Sequence, residues 1–380
     1  MELKELCKIK HGFAFKGKDI IKNYSTKYVL VTPGNFNIGG GFKKDKCKYF
    51  SKNGNIPKDY ILRENDLIVT MTDLSVKSDT LGYSALIPKD NNIYLHNQRI
   101  GLVHDIDESK VLKDYLYWFM RTKKYQQEVV ASQSGTAIHH TSPDRILNIE
   151  IDLPSIDNQR KIVKILSDVE HKIKNNNDTN NNLYEVSKQL LLKYLDENKS
   201  FDEINISKFL NIFTGKKNAN ETSPTGKYKF FSCAPESLLS DTYLCDSAAI
   251  IVAGNGAYTG RTRFYDGKFE LYQRTYGLTL KDGFEKNNIY GLYVFMKTIF
   301  EPDKMGGTHG SAIPYIVLSD LTDYKLKYNK VEFDRFSNLV SGNIKMIQEN
   351  EKSNEKLSEL RDTLLPKLMN GEIDLDNIEI

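Results

Sequence analysis

DNQRKIVKILSDVEHKIKNNNDTNNNLYEVSKQLLLKYLDENK, residues 157–199, decides the architecture. Apolar residues fall at Ile162, Leu166, Val169 and Ile173, then at Leu183, Val186 and Leu190. Steps of four and three are the spacing of a coiled-coil seam. Pro154 precedes the run, and Asp157 is the expected N-cap. Shifting every position by 174 gives a second helix with the same pattern. Ile162 maps to Phe336, Leu166 to Val340, Ile173 to Ile347, Leu183 to Leu357, Val186 to Leu360 and Leu190 to Leu364. Glu185 and Glu359, Leu191 and Leu365, Lys193 and Lys367, and Asp202 and Asp376 are identities at the same shift.

The copying includes polar positions. Asn176 maps to Asn350 and Asn180 to Asn354, all four on the seam. A seam Asn fixes register and partner at some cost in stability. In the first helix the run NNNDTNNN (Asn175–Asn182) is equally read as low complexity. That reading explains the second helix poorly, because its Asn residues keep to certain seam places.

The segments before the helices also correspond, with a shift of 175. S-G-T-A-I at Ser134–Ile138 matches G-S-A-I at Gly310–Ile313, and Gln98–Arg99 matches Gln273–Arg274. DLIVT (Asp66–Thr70) resembles AAIIVA (Ala248–Ala253) at a changed shift. Each half is therefore a strand-rich domain, a G-[TS]-A-I loop and one long helix. The expected fold class is α/β (α+β): two recognition-type domains joined by two long helices that form an antiparallel coiled coil, an internal pseudo-two-fold repeat. The expected segments are 1–155, a helix over 156–200, a second domain over 201–331, and a second helix with a tail over 332–380. A helix of about 40 residues is about 60 Å long, and its seam requires a partner helix. A domain at each end of such a pair suits a split DNA site, read as two half-sites around an unread spacer.

Three stretches carry a family resemblance. LRDTLLPKLMNGEIDL (Leu360–Leu375) is similar to the C-terminal signature of type I restriction-modification specificity (S) subunits. KHGFAFKGKDI (Lys10–Ile20) and SGTAIHHTSPDRILNIEIDLPSIDNQRKIVKIL (Ser134–Leu166) resemble their target-domain start and domain-to-helix junction. With the repeat, the resemblance covers essentially the whole chain. The second half departs from the junction pattern, having KYNKVEFDRF at Lys327–Phe336. The resemblance implies a non-catalytic subunit whose domains each read half of a double-stranded DNA target. It implies helices that dock two methyltransferase (M) subunits and, through them, restriction (R) subunits. S-adenosylmethionine is expected in the partner methyltransferase and no cofactor in this chain.

The rest of the sequence offers little chemistry. The chain has 380 residues, 53 Lys+Arg, 50 Asp+Glu and a net charge of +3, so nucleic-acid binding would rest on a basic face rather than on bulk charge. Cys7, Cys47, Cys233 and Cys245 form no C-x-x-C pair. No run of about 18 apolar residues and no signal-peptide core are present, so a cytoplasmic location and no membrane are expected. An adenine methyltransferase would need an N-P-P-[YF]-type loop for the flipped base, and none occurs. G-N-G-A-Y-T-G (Gly254–Gly260) follows a strand but is itself followed by RTRFYDGKFELY, which predicts a hairpin rather than a cofactor loop. His139 and His140 are adjacent and cannot form an i,i+4 metal pair.

DNA contacts are expected from loop Lys, Arg, Asn, Gln, Ser and Thr. In the first domain these are Lys16, Lys18, Lys43, Lys44, Thr72, Lys77, Gln133, Ser134 and Thr136; in the second, Lys216, Lys217, Asn255, Tyr258, Arg261, Arg263, His309 and Ser311. Most single Lys or Arg residues in such a set are solvated surface charges. Gln98–Arg99 and Gln273–Arg274, kept between domains that should read different sequences, fit a shared fold or phosphate positioning better than base readout. The helix-helix and partner interface is expected at Ile162, Leu166, Ile173, Leu183, Leu190, Val340, Ile347, Leu357, Leu364 and Leu368. A specificity subunit whose methyltransferase also carries nuclease activity is a close alternative. A phage-encoded or orphan protein that docks on host methyltransferases to redirect or block them is a rival of another class.

Overall fold

A computed structural model of the chain describes residues 1–21, 26–44, 47–73, 75, 78–135, 138–196, 200–299 and 313–375. It divides into two compact units, 1–172 with 356–380, and 173–355. Each unit therefore holds one domain and part of both long helices. Among the described residues no helix is long and apolar enough to cross a membrane.

In the first unit, strands β1 (Lys8–His11), β2 (Tyr28–Val31), β3 (Lys48–Phe50), β4 (Leu67–Thr70), β5 (Ser84–Leu86), β6 (Ile93–His96) and β7 (Ile100–His104) form two sheets. One runs β1-β7-β4-β5, all antiparallel; the other has β3-β2-β6 at its centre, with β2 parallel to β6. Helices α1 (Lys113–Phe119) and α2 (Lys123–Ala131) bury Tyr115, Leu116, Trp118, Tyr125 and Val129 in the core beside β1 and β4.

The second unit repeats this plan. Strands β8 (Leu210–Thr214), β9 (Tyr228–Phe231), β10 (Leu238–Ser240), β11 (Cys245–Ala253), β12 (Thr262–Leu271) and β13 (Thr275–Leu280) form one sheet in the order β8-β13-β11-β12-β9-β10. The start of β12 pairs with β11, as β5 pairs with β4; its end runs parallel to β9, as β6 does to β2. One ten-residue strand thus replaces two short ones, and two sheets become one. Helix α4 (Asn288–Ile299) takes the place of α1, apolar on nearly every side because it is buried on nearly every side. G-N-G-A-Y-T-G joins the antiparallel strands β11 and β12, the expected tight turn between strands; RTRFYDGKFELY, expected as a hairpin, is a correction, since Thr262–Leu271 runs on as the single strand β12.

The long helices are α3 (Ile156–Asp196) and α5 (Lys330–Met369). Ser155, not the expected Asp157, caps α3: its Oγ accepts from Asn158 N at 3.2 Å. Asp157 lies in the first turn and binds Arg160. Gln159, fully buried, explains the S-x-x-x-Q junction. Its Oε1 accepts from Leu112 N (2.9 Å), and its Nε2 donates to Lys110 O (2.9 Å) and Pro154 O (3.1 Å). One amide side chain satisfies three backbone groups where the chain turns from domain to helix. At the end of α5, Gly371 (φ +69°) lets Glu372 N reach Lys367 O at 2.9 Å, which makes M-N-G-E a helix stop.

Within the second unit α3 and α5 run antiparallel. Asn176 donates to Asn354 (2.8 Å), Asn350 to Asn180 (2.8 Å) and Asn343 to Ser187 (3.1 Å); as one helix advances, the other retreats. Of the expected seam residues, Ile162, Leu166, Val340, Ile347 and Leu368 are buried, and Ile173, Leu183, Leu190, Leu357 and Leu364 are half-buried. Val186 and Leu360 are a correction, being 53% and 47% exposed. The heptad that holds Leu166, Ile173 and Asn180 continues to Ser187 and Tyr194, so Val186 is one place out of phase. Ser187 is buried there, its hydroxyl donating back to Leu183 O at 2.8 Å.

Candidate nucleic-acid interface

In each unit the candidate DNA residues gather largely at one end of the sheet. In the first, β1 ends there, β4 ends there, and β7 and β5 begin there. The segment after β1 brings Lys16 and Lys18, both exposed. The β6–β7 turn brings Gln98 and Arg99, and a two-strand ribbon of Thr72–Asp73 with His139–His140 brings the Ser134 loop. Gly135 (φ +99°) makes that loop tight: an added Cβ would lie 2.1 Å from Ile138 O. Lys77 and Thr136 lie outside the described residues.

In the second unit the same end holds Lys216, Gln273, Arg274, Asn255, Tyr258 and Arg261. Lys216, Gln273 and Arg274 are exposed, and the Arg261 guanidinium sits 5.5 Å from the Tyr258 ring. The bridge of Asn255 to Tyr315 stands where the first unit has Thr72 with His140. His309 and Ser311 lie outside the described residues.

Several expected contacts are turned inward. Thr72 is 2% exposed and its hydroxyl is 3.0 Å from His140 Nδ1, so it shapes the ribbon and offers no face to a ligand. Gln133 accepts from Ser78 Oγ at 2.8 Å. Lys44 is paired with Asp90 at 2.7 Å and Lys43 is half-buried, on a loop beside β2. Lys217 donates to Ser240 Oγ (3.1 Å) and Thr242 Oγ1 (2.6 Å) beside the buried carboxylate of Glu270. Arg263, expected as a DNA contact, instead donates to the carbonyls of Ser232 and Ala234 over the Phe231 ring. Burial, helped by the neighbouring charge of Arg261, holds its pKa down at about 10. Those partners lie 29 and more residues away in sequence, so no local pattern could announce them.

The turns themselves are built alike. Gln98 N donates to Phe13 O and Gln273 N to Lys217 O; Ile100 N donates to Asn97 O and Thr275 N to Tyr272 O; Met71 N donates to Arg99 O and Gly254 N to Arg274 O. Gly12 and Gly215 allow the preceding strand to lie against each turn. A Cβ there would stand 2.1 Å from Asn97 O and 2.0 Å from Leu271 O respectively. In the first unit His96 staples the turn, its Nε2 donating to Ile100 O at 2.8 Å. Burial first, then Lys10 and His11, push its pKa down to about 4 from 6.5. A base with a depressed folded pKa stabilises the fold fully above pH 6.5, and that contribution is lost as pH falls towards 4. The melting temperature of the first unit is therefore expected to fall between pH 6.5 and 4, and less steeply in His96→Gln. Parallel pH profiles for the two proteins would refute the assignment.

Residues 1–185 match the family model for the Type I restriction modification DNA specificity domain. The specificity subunit of type I restriction enzyme EcoDI from Escherichia coli is 32% identical over 123 residues, which are 32% of this chain and 26% of that subunit. The match thus spans about a quarter of that relative. The specificity subunit of type I restriction enzyme MjaIX from Methanocaldococcus jannaschii is 21% identical over 342 residues, 78% of this chain and 76% of the relative. Among solved structures, the type I restriction-modification S subunit from M. genitalium has a TM-score of 0.58 at 17% identity, covering 97% of this chain and 95% of that one. That last likeness is one of fold.

Proposed function

We propose that the chain, whose residues 1–185 match the type I restriction modification DNA specificity domain, is a specificity subunit of such a system and selects the DNA sequence on which a methyltransferase acts. Each domain reads one half of a split double-stranded target through the loops at its sheet end. The long helices set the distance between the half-sites and dock two M subunits, which carry S-adenosylmethionine and transfer its methyl group to adenine. R subunits join through the M subunits, in the cytoplasm. The chain itself performs no chemistry in this reading.

The observation that carries it is the repetition of one scaffold with unequal loops. Val31 to Val69 spans 38 positions in the first unit, and the equivalent Phe231 to Val252 spans 21. Equal frames with different insertions suit two readers of different half-sites.

The test is the genome-wide adenine methylation pattern of cells with and without the gene, methyltransferase present in both. A motif of two short blocks around a fixed gap, seen only with the gene, is expected. No motif at normal expression would favour a protein that docks on methyltransferases to block them.

A further inference from the structure

We infer that Arg99 and Arg274 are equivalent DNA-backbone contacts, one per domain, that set each domain's register on the duplex without reading bases. The inference rests on the proposed DNA-reading function and assigns these two side chains within it.

Domains that read different half-sites have no reason to share base-reading side chains. Gln-Arg is nevertheless kept in both turns, where the residue before it changes from Asn97 to Tyr272. The fold does not ask for these side chains. The bonds that hold the turns reach Arg99 and Arg274 through their backbone: both carbonyls accept from the adjacent strand end, and Arg99 N also donates to Asn97 Oδ1 at 3.0 Å. Gln98 and Gln273 also differ in use, since Gln273 Nε2 is bound to Asn218 Oδ1 at 2.8 Å and Gln98 has no such bond among the described residues. The two Arg side chains agree in having no such bond. Arg274 is exposed, Arg99 half-buried, and neither guanidinium has an ion-pair or hydrogen-bond partner among the described residues. Lys44, Lys217 and Arg263, by contrast, are all occupied.

A retained guanidinium that no described residue occupies, on a turn bonded to the adjacent strand, at the sheet end where the other candidates gather, calls for an external partner. That partner must be the same for both domains. The feature of DNA that does not vary with sequence is the phosphate, and Arg binds its oxygens through paired donors. Anchoring the turn by Met71 and Gly254 to the adjacent strand end fixes that cation relative to the loops that differ.

The test is equilibrium binding by the full chain to two duplexes, one with its methylation motif and one scrambled, across a NaCl series. Arg99→Gln and Arg274→Gln are each expected to weaken both duplexes by a similar factor, about five-fold at 0.15 M salt, and to reduce the salt slope by about 0.9. Arg99→Lys and Arg274→Lys keep the charge and should keep the slope. The methylation motif should be unchanged in all four. A variant that relaxes one base position with an unchanged slope would overturn the inference in favour of base readout. Wild-type binding with unaltered variants would overturn it outright, leaving the functional proposal standing; a wild-type chain that binds neither duplex would overturn both.

Discussion

Glu170→Ala is expected to destabilise the first unit by about 3–5 kcal/mol, the cost of leaving a buried charge without its partner. Arg121 is 3% exposed, and its guanidinium donates to Glu170 Oε1 (2.5 Å), Tyr117 Oη (2.5 Å) and Gly39 O (2.9 Å), lying 4.4 Å from the Trp118 ring. The same carboxylate accepts from Tyr117 (3.1 Å) and stands 3.6 Å from Arg361 on α5. One carboxylate thus pairs with Arg121 and stands near Arg361, which also holds Asp362 at 2.8 Å, and so joins α1, the Gly39 loop and both long helices within the unit. Without it the buried Arg121 guanidinium keeps only the Tyr117 hydroxyl and the Gly39 carbonyl, while Arg361 keeps Asp362. The Glu170 side chain is 29% exposed, which places the loss towards the lower end of that range. The corresponding fall in melting temperature is about 10 °C for a unit of this size. Glu170→Gln, keeping volume and an acceptor, should lie between the two. A fall below about 1 °C in Glu170→Ala would mean that solvent already screens the group and that the junction is held by its apolar contacts alone.

If the proposed function holds, exchange of residues 201–329 for those of a homologous chain is expected to replace one block of the methylation motif completely and leave the other block as it was. The second core is closed within its own unit, where Phe209, Phe230, Ile250, Leu278, Leu292 and Val294 are fully buried. Its loops are therefore carried by a core of that unit's own residues. The exchange should also keep the length of the gap, because α3 and α5 are retained. A change in both blocks, read from the same methylation sequencing, would refute modular reading. A changed gap with the blocks intact would show that the domains, not the helices, measure the distance.

The helices were legible because their pattern repeats every seven residues and recurs 174 residues later, and neither signal needs knowledge of the third dimension. Phase was the limit. Val186 and Leu360 looked apolar enough for the seam, yet Ser187 took the place because a heptad counts positions rather than hydrophobicity. The boundary between compact units was also hidden: it cuts both helices, at 172/173 and 355/356, where no break in composition marks it. In the candidate interface, side chains could be listed by type but not by direction. Thr72 turned to His140, Arg263 to the carbonyls of 232 and 234, and Lys217 to the Glu270 neighbourhood, each through a partner distant in sequence. The Gln-Arg turns were visible as a repeated dipeptide. The two glycines that let a strand pass against them, Gly12 and Gly215, belong to segments that the repeat did not align.

The asparagine contacts of the long helices have a consequence for assembly. Asn176 meets Asn354, and their counterparts under the repeat, Asn350 and Asn180, meet each other in turn. A contact that maps onto itself when its two sides are exchanged is isologous, the kind that joins identical subunits. These two Asn pairs therefore do not distinguish the helix of the same chain from the corresponding helix of another copy. Covalent linkage does: the 201–331 segment holds the second helix at a local concentration that free copies do not reach. A cut anywhere in that segment would turn an intramolecular equilibrium into one that depends on protein concentration, with the same hydrogen bonds on either side of it.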